Sequence, residues 1–455
     1  IYMAQINYPD AYLVLMREVM KDDYGTWLAA QDAPLFRVVR LNMTKITEEA
    51  FLAEFPDVLR LSYYPGFLYR MPDYVTSLGN HPYHHAGCFY IQEPSASLPV
   101  EALTLRTGDR VLDACAAPGG KSTQILSELD GSGFLLSNEI DAQRNRTLRF
   151  NLQRFGDDNL MVTQNDTSVI GPSLQDYFDK ILVDAPCSGT GMFRKDPGGI
   201  AYFSQKNIDH CVRMQHDILE NVYPALKTNG ILVYSTCTFT LDENENQIRS
   251  FIDRHPDMII ETYPFSIGRP GIGDAQDEIH KCRRVTLLEG GEGHFICRMR
   301  KTGSTFSSHI AMMKQSRNPL VQTLLDQWLD VKVPFYELNN HVYLSRHPMP
   351  TPDNIRITQI GVHLGTVVKG RIDPDHAFAL SKIARDHFIP KVDVPLDQII
   401  AYLRGETLSI PNLRGYVLIT YRHQPIGFAK GDGSILKNHF PKGIRSFQKF
   451  SEKDK

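Results

Sequence analysis

Between residues 110 and 236 the chain passes through five short apolar runs, and each ends in a group that can do chemistry. Residues 110–114 (RVLDA) feed a Gly-rich turn. Residues 133–140 (GFLLSNEI) carry Glu139 at their end, 160–166 (LMVTQND) end in Asp166, 180–184 (KILVD) end in Asp184, and 230–236 (GILVYST) run into Cys237. Helical periodicity follows them at 121–129, 141–155, 204–226 and 242–254. Strands alternating with helices predict a parallel sheet wound on both faces. Such a sheet gathers the carboxyl ends of its strands along one crevice, so these groups are predicted to share one site. Two further strands, 284–288 and 294–299, flank the turn Glu289-Gly-Gly-Glu-Gly293 and predict an antiparallel hairpin closing the sheet.

A chain of 455 residues is too long for one core. Four segments are predicted. Residues 1–79 form a small α+β unit with a helix at 12–20 and a strand at 36–41 (FRVVRL). Residues 80–302 hold the sheet. Residues 303–386 open on a linker (TGSTFSSH) and carry no readable motif. Residues 387–455 hold short strands at 416–421 and 425–429 and a basic tail. Hydrophobic content of 42% and charged content of 22% fit a soluble globular protein. No apolar run approaches the ~18 residues that span a bilayer, and the first residues lack the features of a signal peptide. Seven scattered cysteines without a CxxC pair argue against a disulfide framework or a zinc cluster and for a reducing cytosol. A cytoplasmic protein without metal is therefore expected. The net charge of −3 leaves any nucleic-acid contact to local patches.

The stretch VLDACAAPGGKSTQIL reads as strand, turn and helix. Pro118 stiffens the turn, and Gly119 and Gly120 allow a ligand to approach the backbone. The helix that follows offers free N–H groups to a carboxylate. The spacing is neither GxGxxG nor a P-loop, and any tight βα turn can carry two glycines. Glu139 adds weight: it lies about 20 residues beyond the glycines, where a carboxylate takes both ribose hydroxyls. Asp166 is positioned for an adenine amino group. One such acid reads naturally as a helix N-cap, but the set matches a nucleoside cofactor.

The fourth apolar run continues into Asp184-Ala-Pro-Cys187-Ser-Gly-Thr-Gly191 and the fifth into Ser235-Thr-Cys237-Thr238. In this sheet type the two strands are neighbours, so both cysteines face the cofactor crevice. An isolated cysteine is usually buried and inert. Two at adjacent strand ends have a chemical reason. C5 of cytosine is a poor nucleophile; a thiolate that adds to C6 activates it toward a methyl sulfonium, and a base must then remove the C5 proton and release the thiolate. A carboxyl close to N3 and the amino group, such as Asp184, would favour the protonated adduct.

The motifs VLDACAAPGGKST, DAPCSGTG and STCT, with GCFYIQEPSA upstream, closely resemble the Sun-type (Nol/Nop/Sun) RNA 5-methylcytosine methyltransferases, in the family's order. The resemblance implies a Rossmann-like methyltransferase sheet and S-adenosylmethionine as cofactor. It implies Cys237 as nucleophile and Cys187 as the group that helps release the product. It further implies that Cys115, Ala116, Ala117, Pro118, Gly119, Gly120, Lys121, Glu139, Arg144, Asp166 and Asp184 line the cofactor site. FRVVRLN resembles the family's small N-terminal domain. The tail, from DQIIAYLRGETL onward, resembles a PUA-like RNA-binding domain. This arrangement is similar to the RsmF-like bacterial group, which implies 16S rRNA near the decoding region, or the 30S subunit, as substrate; a monomer is expected.

Local basic residues supply the expected RNA contacts. Arg194 and Lys195 follow the first cysteine loop. Arg422, Lys430, Lys437, Lys442, Arg445 and Lys449 are interleaved in the tail with Phe428, Phe440 and Phe447, a pattern suited to backbone contact and base stacking. The target base must leave its stack to reach the crevice. His81, His84 and His85 lack accompanying ligands for a metal and are read as a loop capping the cofactor site. Two rival readings remain open at this point. A DNA cytosine-5 methyltransferase would use Pro186-Cys187 and Glu220-Asn-Val222, although this ENV falls inside a predicted helix. A ribosome-assembly factor would keep the fold only to bind RNA.

Overall fold

A computed structural model describes residues 6–274, 276–304 and 310–445. Helices α1 (Asp10–Met20) and α2 (Tyr24–Ala30) precede a small sheet of β1 (Val38–Leu41), β2 (Leu59–Arg60), β3 (Leu68–Arg70) and β4 (Phe89–Ile91), in the order β2-β3-β1-β4. Helices α3 (Glu48–Glu54) and α4 (Pro82–His85) connect its strands. Thr47 caps α3 by accepting from the Ala50 amide. Because β4 pairs with β1, this sheet continues past Gly79 to Ile91. A three-residue strand has no periodicity to reveal it.

Helix α5 (Leu98–Leu103) leads into the central sheet. Its first half holds β5 (Arg110–Asp113), α6 (Gly120–Leu129), β6 (Phe134–Asn138), α7 (Ala142–Phe155), β7 (Leu160–Thr163) and α8 (Thr167–Ser173). Its second half holds β8 (Phe178–Asp184), α9 (Gln205–Val222), β9 (Leu226–Thr236), α10 (Glu245–Arg254), β10 (Met258–Ile260), β11 (Arg269–Pro270), β12 (Arg283–Val285) and β13 (His294–Lys301). Strands β9-β8-β5-β6-β7 are parallel neighbours, as the alternating pattern predicts. Their cores are buried on both faces, which is why they read as continuous apolar runs. Asp141 starts α7 by accepting from the Gln143 and Arg144 amides, and Gly156, at φ 76°, ends it. Strand β13 runs antiparallel to β9, and β12 pairs with β13, so the predicted hairpin is present. Residues 286–289 are not strand: Thr286 and Glu289 form a capping box over a short 3-10 turn.

The segment after 302 does not stand apart from this sheet. It contains α11 (Pro319–Trp328), β14 (Phe335–Leu338), β15 (His341–Leu344), β16 (Ile357–Ile360), β17 (Val362–Thr366), α12 (His376–Leu380) and α13 (Lys382–His387). Strand β16 pairs antiparallel with β7 and extends the central sheet. Tyr336, Tyr343, Met349 and Ile360 share the core of that sheet with Met161. Most of the predicted linker, 305–309, lies outside the described residues. The chain ends with β18 (Lys391–Asp393), α14 (Leu396–Arg404), β19 (Arg414–Tyr421), β20 (Gln424–Asp432) and β21 (Leu436–Asn438), a second small sheet. Its Tyr402, Ile419 and Ile426 pack with Val39, Phe51 and Phe89 of the first.

Buried charge marks where these units meet. Lys45 Nζ donates to the carbonyls of Ala86, Arg154 and Leu380, each at 2.7 Å. His81, His84 and His85 belong to this seam and do not cap the crevice. His81 bonds the buried Glu54 at 3.1 Å, His84 faces the Arg154 guanidinium at 2.7 Å, and His85 packs on Phe440. Burial, followed by Arg154, holds His84 well below its ordinary pKa and takes His85 to about 3. Among the described residues no helix is long and apolar enough to cross a membrane.

Candidate active site

The carboxyl ends of β5 through β9 open on a cleft of about 860 Å³, lined among others by Cys115, Glu139, Arg144, Asp166, Asp184, Cys187 and Cys237. Topology explains the gathering. Asp184 and Ser235 are register partners on the parallel pair β8 and β9, and the two cysteine loops continue from them. Cys187 Sγ and Cys237 Sγ lie 3.4 Å apart, both half-buried. Cys187 is driven well above the ordinary thiol range, first by its hydrogen bond to Cys237 and then by burial.

Asp184 is the polar anchor of this end. Lys121 Nζ donates to its Oδ2 and Ser235 Oγ to its Oδ1, both at 2.7 Å. Burial alone would raise the carboxyl, but Lys121 and then His294 hold it below the usual range. Burial likewise works against the charge on Lys121, and Asp184 overcomes it.

At the other end Glu139 is almost fully buried, and Arg144 joins it to the Gly-rich turn. The guanidinium lies 3.5 Å from Glu139 Oε2 and donates to the Ala117 carbonyl at 3.0 Å. Asp166 caps α8 through the Ser168 amide and stands exposed on the cleft wall. Of the turn itself, Cys115 and Ala117 face the cleft. Gly119 takes φ +109°, where a side chain is strained, and a Cβ there would meet Leu148 of α7 at 3.2 Å. A Cβ on Gly120 would meet Tyr90 at 3.2 Å. Backbone conformation and close packing with α7 thus already favour glycine at 119, and Tyr90 of β4 would have to shift slightly for a side chain at 120, before any ligand approaches. Arg40 of β1, buried, donates to the Gly120 carbonyl and Thr123 Oγ1, so the FRVVRLN strand braces the start of α6.

Several residues that matter here carry no recognisable spacing. Glu243, fully buried, accepts from the Ser188 amide at 2.8 Å, Gln215 Nε2 at 3.0 Å and Thr240 Oγ1 at 2.6 Å, binding the two cysteine loops to each other. Its only sequence signal is an acid six residues past Cys237 in a run of polar residues. Asn138 donates to the Ala114 and Asn165 carbonyls and ties three strand ends together. The upstream motif is also explained: Glu93 accepts from the Ser95 hydroxyl, and Ser95 Oγ meets His294 Nδ1 at 2.9 Å. Burial, then Lys121, lowers His294 to about 4. At Gly191 a Cβ would lie 2.9 Å from the Cys237 carbonyl, so the first cysteine loop needs glycine to approach the second.

The expected RNA contacts divide sharply. Arg194 is not available: it is buried, forms a two-point pair with Glu292 at 2.7 and 2.9 Å, and bonds the Ala33 carbonyl. Phe428 and Phe440 are core residues, against Phe388 and Tyr402 respectively, and cannot stack on bases. Arg422 pairs with Glu54 at the seam. Arg445 donates to the Phe440 carbonyl. Lys195, Lys430, Lys437 and Lys442 are exposed, and Lys430 and Lys437 stand opposite each other on β20 and β21. Phe447 and Lys449 lie outside the described residues.

The cleft is large enough for a nucleoside joined to an amino acid, within the usual range of about 300–1,000 Å³ for such ligands. Its donor set, with acids at one end and the Asp184–Lys121 pair at the other, fits S-adenosylmethionine. Comparison with known proteins agrees. Four family descriptions match in succession: the N-terminal domain of 16S rRNA methyltransferase RsmF at 8–94, 16S rRNA methyltransferase RsmB/F at 100–300, the RsmF first C-terminal domain at 322–381 and the RsmF PUA domain at 389–446. Ribosomal RNA small subunit methyltransferase F of Cronobacter sakazakii is 31% identical, over 96% of both chains. That of Citrobacter koseri is 32% identical over 97% of this chain and 98% of its own. A methyltransferase homologue from Pyrococcus horikoshii, 28% identical, superposes with a TM-score of 0.57 over 65% of this chain and 96% of its own. NSun6 from the same organism shares the fold, at 22% identity and a TM-score of 0.58, over 66% of this chain and all of its own. With relatives of this similarity along nearly its whole length, the chain belongs to the 16S rRNA methyltransferase RsmB/F family and is an S-adenosylmethionine-dependent methyltransferase.

Proposed function

We propose that this protein methylates C5 of a cytosine in RNA, and that its substrate is 16S rRNA near the decoding region, naked or within the 30S subunit. The 3.4 Å contact between Cys187 and Cys237 above the cofactor cleft carries this reading, and the names of its curated relatives support a small-subunit rRNA target. Work on ribosomal RNA would be done in the cytoplasm. Bound S-adenosylmethionine supplies an electrophilic methyl group. Glu139 is suited to its ribose hydroxyls, Asp166 to its adenine amino group and the start of α6 to its carboxylate.

The chain's own chemistry begins at Cys237, whose sulfur bonds to C6 of the cytosine as its thiol proton passes to N3, making C5 nucleophilic toward the methyl group that the bound cofactor would supply and to which C5 would bond. Asp184 stabilises the protonated ring near N3. In the free protein, Cys187 is kept protonated chiefly by its hydrogen bond to Cys237. Once bonded to C6, that sulfur is a neutral thioether and the larger constraint on Cys187 is lifted, leaving that of burial. Cys187 then gives its proton to water in the open cleft and takes the C5 proton. The C5–C6 double bond reforms, Cys237 leaves C6, and the N3 proton returns to its sulfur. Exposed Lys195, Lys430, Lys437 and Lys442 serve the RNA backbone, with residues from 387 onward acting as an RNA-binding domain.

Labelled S-adenosylmethionine offered with 30S subunits, naked 16S rRNA, tRNA or DNA tests the substrate; label on DNA alone overturns it. Cys237→Ala is expected to lower transfer at least about 10³-fold. Cys187→Ala is expected to accumulate a protein–RNA adduct, a slow band on a denaturing gel. An adduct that survives Cys237→Ala and is lost in Cys187→Ala would exchange the two roles.

A further inference from the structure

A second, smaller cavity of about 160 Å³ lies where α7 meets the segment after 302. Arg149 and Gln153 of α7, His341 and Tyr343 of β15, Thr358 of β16 and His363 of β17 line it. Its volume lies well below the roughly 300–1,000 Å³ of pockets that take drug-sized ligands, and suits a small tetrahedral anion. We propose that this cavity binds a phosphate group, and that the group it takes is a phosphodiester of the RNA substrate. The second half of this statement rests on the RNA reading above.

Charge decides the class of ligand. Arg149 Nε is buried without a hydrogen-bond partner, and the guanidinium forms no ion pair among the described residues. An arginine left so in a polar cavity is a donor awaiting an acceptor. Asp375, the acid close by, is already engaged: its Oδ2 lies 3.3 Å from His363 Nδ1. That carboxylate fixes the proton on His363 Nδ1, which leaves His363 Nε2 as an acceptor. His341 Nδ1, 3.0 Å away, donates to it. His341 Nε2 is then free to take a proton and donate to an anion. Burial, then His363, lowers His341, with Asp375 opposing and Arg149 adding to the shift, and a bound anion would act against it. A metal cation is disfavoured by the same guanidinium.

Position connects the cavity to the cofactor cleft. Strand β16 lies along β7, and the Arg356 amide donates to Asn165 Oδ1 at 2.9 Å, beside Asp166 on the cleft wall. Arg356 itself is exposed, as are Lys369 and Arg371 in the turn that the Val367 amide joins to Asn340. A strand of RNA crossing the cleft rim would meet these three basic side chains beside the cavity.

The test uses the full chain, with Arg149→Gln, His341→Gln and the charge-keeping Arg149→Lys. RNA affinity is read by anisotropy across a salt series. The two Gln variants are expected to raise Kd about five- to tenfold and to flatten the salt slope by about one, whereas Arg149→Lys keeps the slope. Unchanged Kd and slope in both Gln variants, or equal loss in Arg149→Lys and Arg149→Gln, overturns the RNA part. In parallel, 10 mM inorganic phosphate is compared with chloride at matched ionic strength. A melting temperature raised by phosphate in the unmodified protein and not in Arg149→Gln supports the anion site, whatever the nucleic acid. Phosphate stabilisation with no loss of RNA affinity assigns the site to free phosphate. No effect in either experiment overturns the site. Failure of the unmodified protein to methylate any RNA would instead strike the function reading, and the phosphate experiment would still decide the site.

Discussion

Two lysines, both largely buried, show how differently this molecule uses charge. Lys45, at the seam between units, spends all three of its N–H groups on carbonyls at 2.7 Å from three parts of the chain. Nothing is left over, and the ammonium acts as a fixed peg that sets how the units meet. Lys121, at the cleft, bonds one oxygen of Asp184, and that carboxylate stays partly exposed between Lys121 and Ser235. Lys45 is saturated, whereas the cleft keeps polar capacity in reserve. A buried polar group stabilises a fold when every valence is met; it does chemistry when one is held open.

The contrast can be broken by substitution. Asp184→Asn should lower the rate of methyl transfer about 10³-fold while shifting the melting temperature less than Lys45→Ala does; equal thermal losses would erase the distinction between the regions. Lys45→Ala leaves three buried carbonyls without donors and should cost about 3–4 kcal/mol in denaturant unfolding, with the cofactor still bound. The wall behind the cleft lies between these extremes. His294 is lowered from 6.5 to about 4. The unfolded chain therefore binds a proton that the folded chain refuses as pH falls through 6.5. Stability should be lost progressively from pH 6.5 to about 4, by up to about 3 kcal/mol, and His294→Gln should flatten that slope between the two pH values. Glu243→Gln removes acceptors shared by both cysteine loops and should cost about 1–2 kcal/mol, with a loss of transfer larger than the stability change explains. Unchanged transfer at saturating cofactor would make Glu243 a packing residue only.

The legibility of the site follows the same physical division. Glu139, Asp166, Asp184, Cys187 and Cys237 were readable because each sits at the end of an apolar run, and a parallel sheet sends all such ends to one edge. Arg194, Phe428 and Phe440 were misread because basic and aromatic residues in a loop or tail look the same whether they face RNA or the core. Glu292, ninety-eight positions from Arg194, decides its fate. The three histidines were placed over the cofactor for the same reason, although their partners Glu54, Arg154 and Phe440 lie at the seam.

The sequence by itself determined the central sheet, its terminal hairpin and the gathering of acids and cysteines along one edge, since local periodicity and strand topology suffice for these. Tertiary structure alone decided that residues after 302 extend that sheet through β16, that Glu243 binds the cysteine loops together, and which basic residues stay exposed. Each of these depends on contacts between residues far apart in the chain, where burial and partner choice, not local pattern, set the free energy.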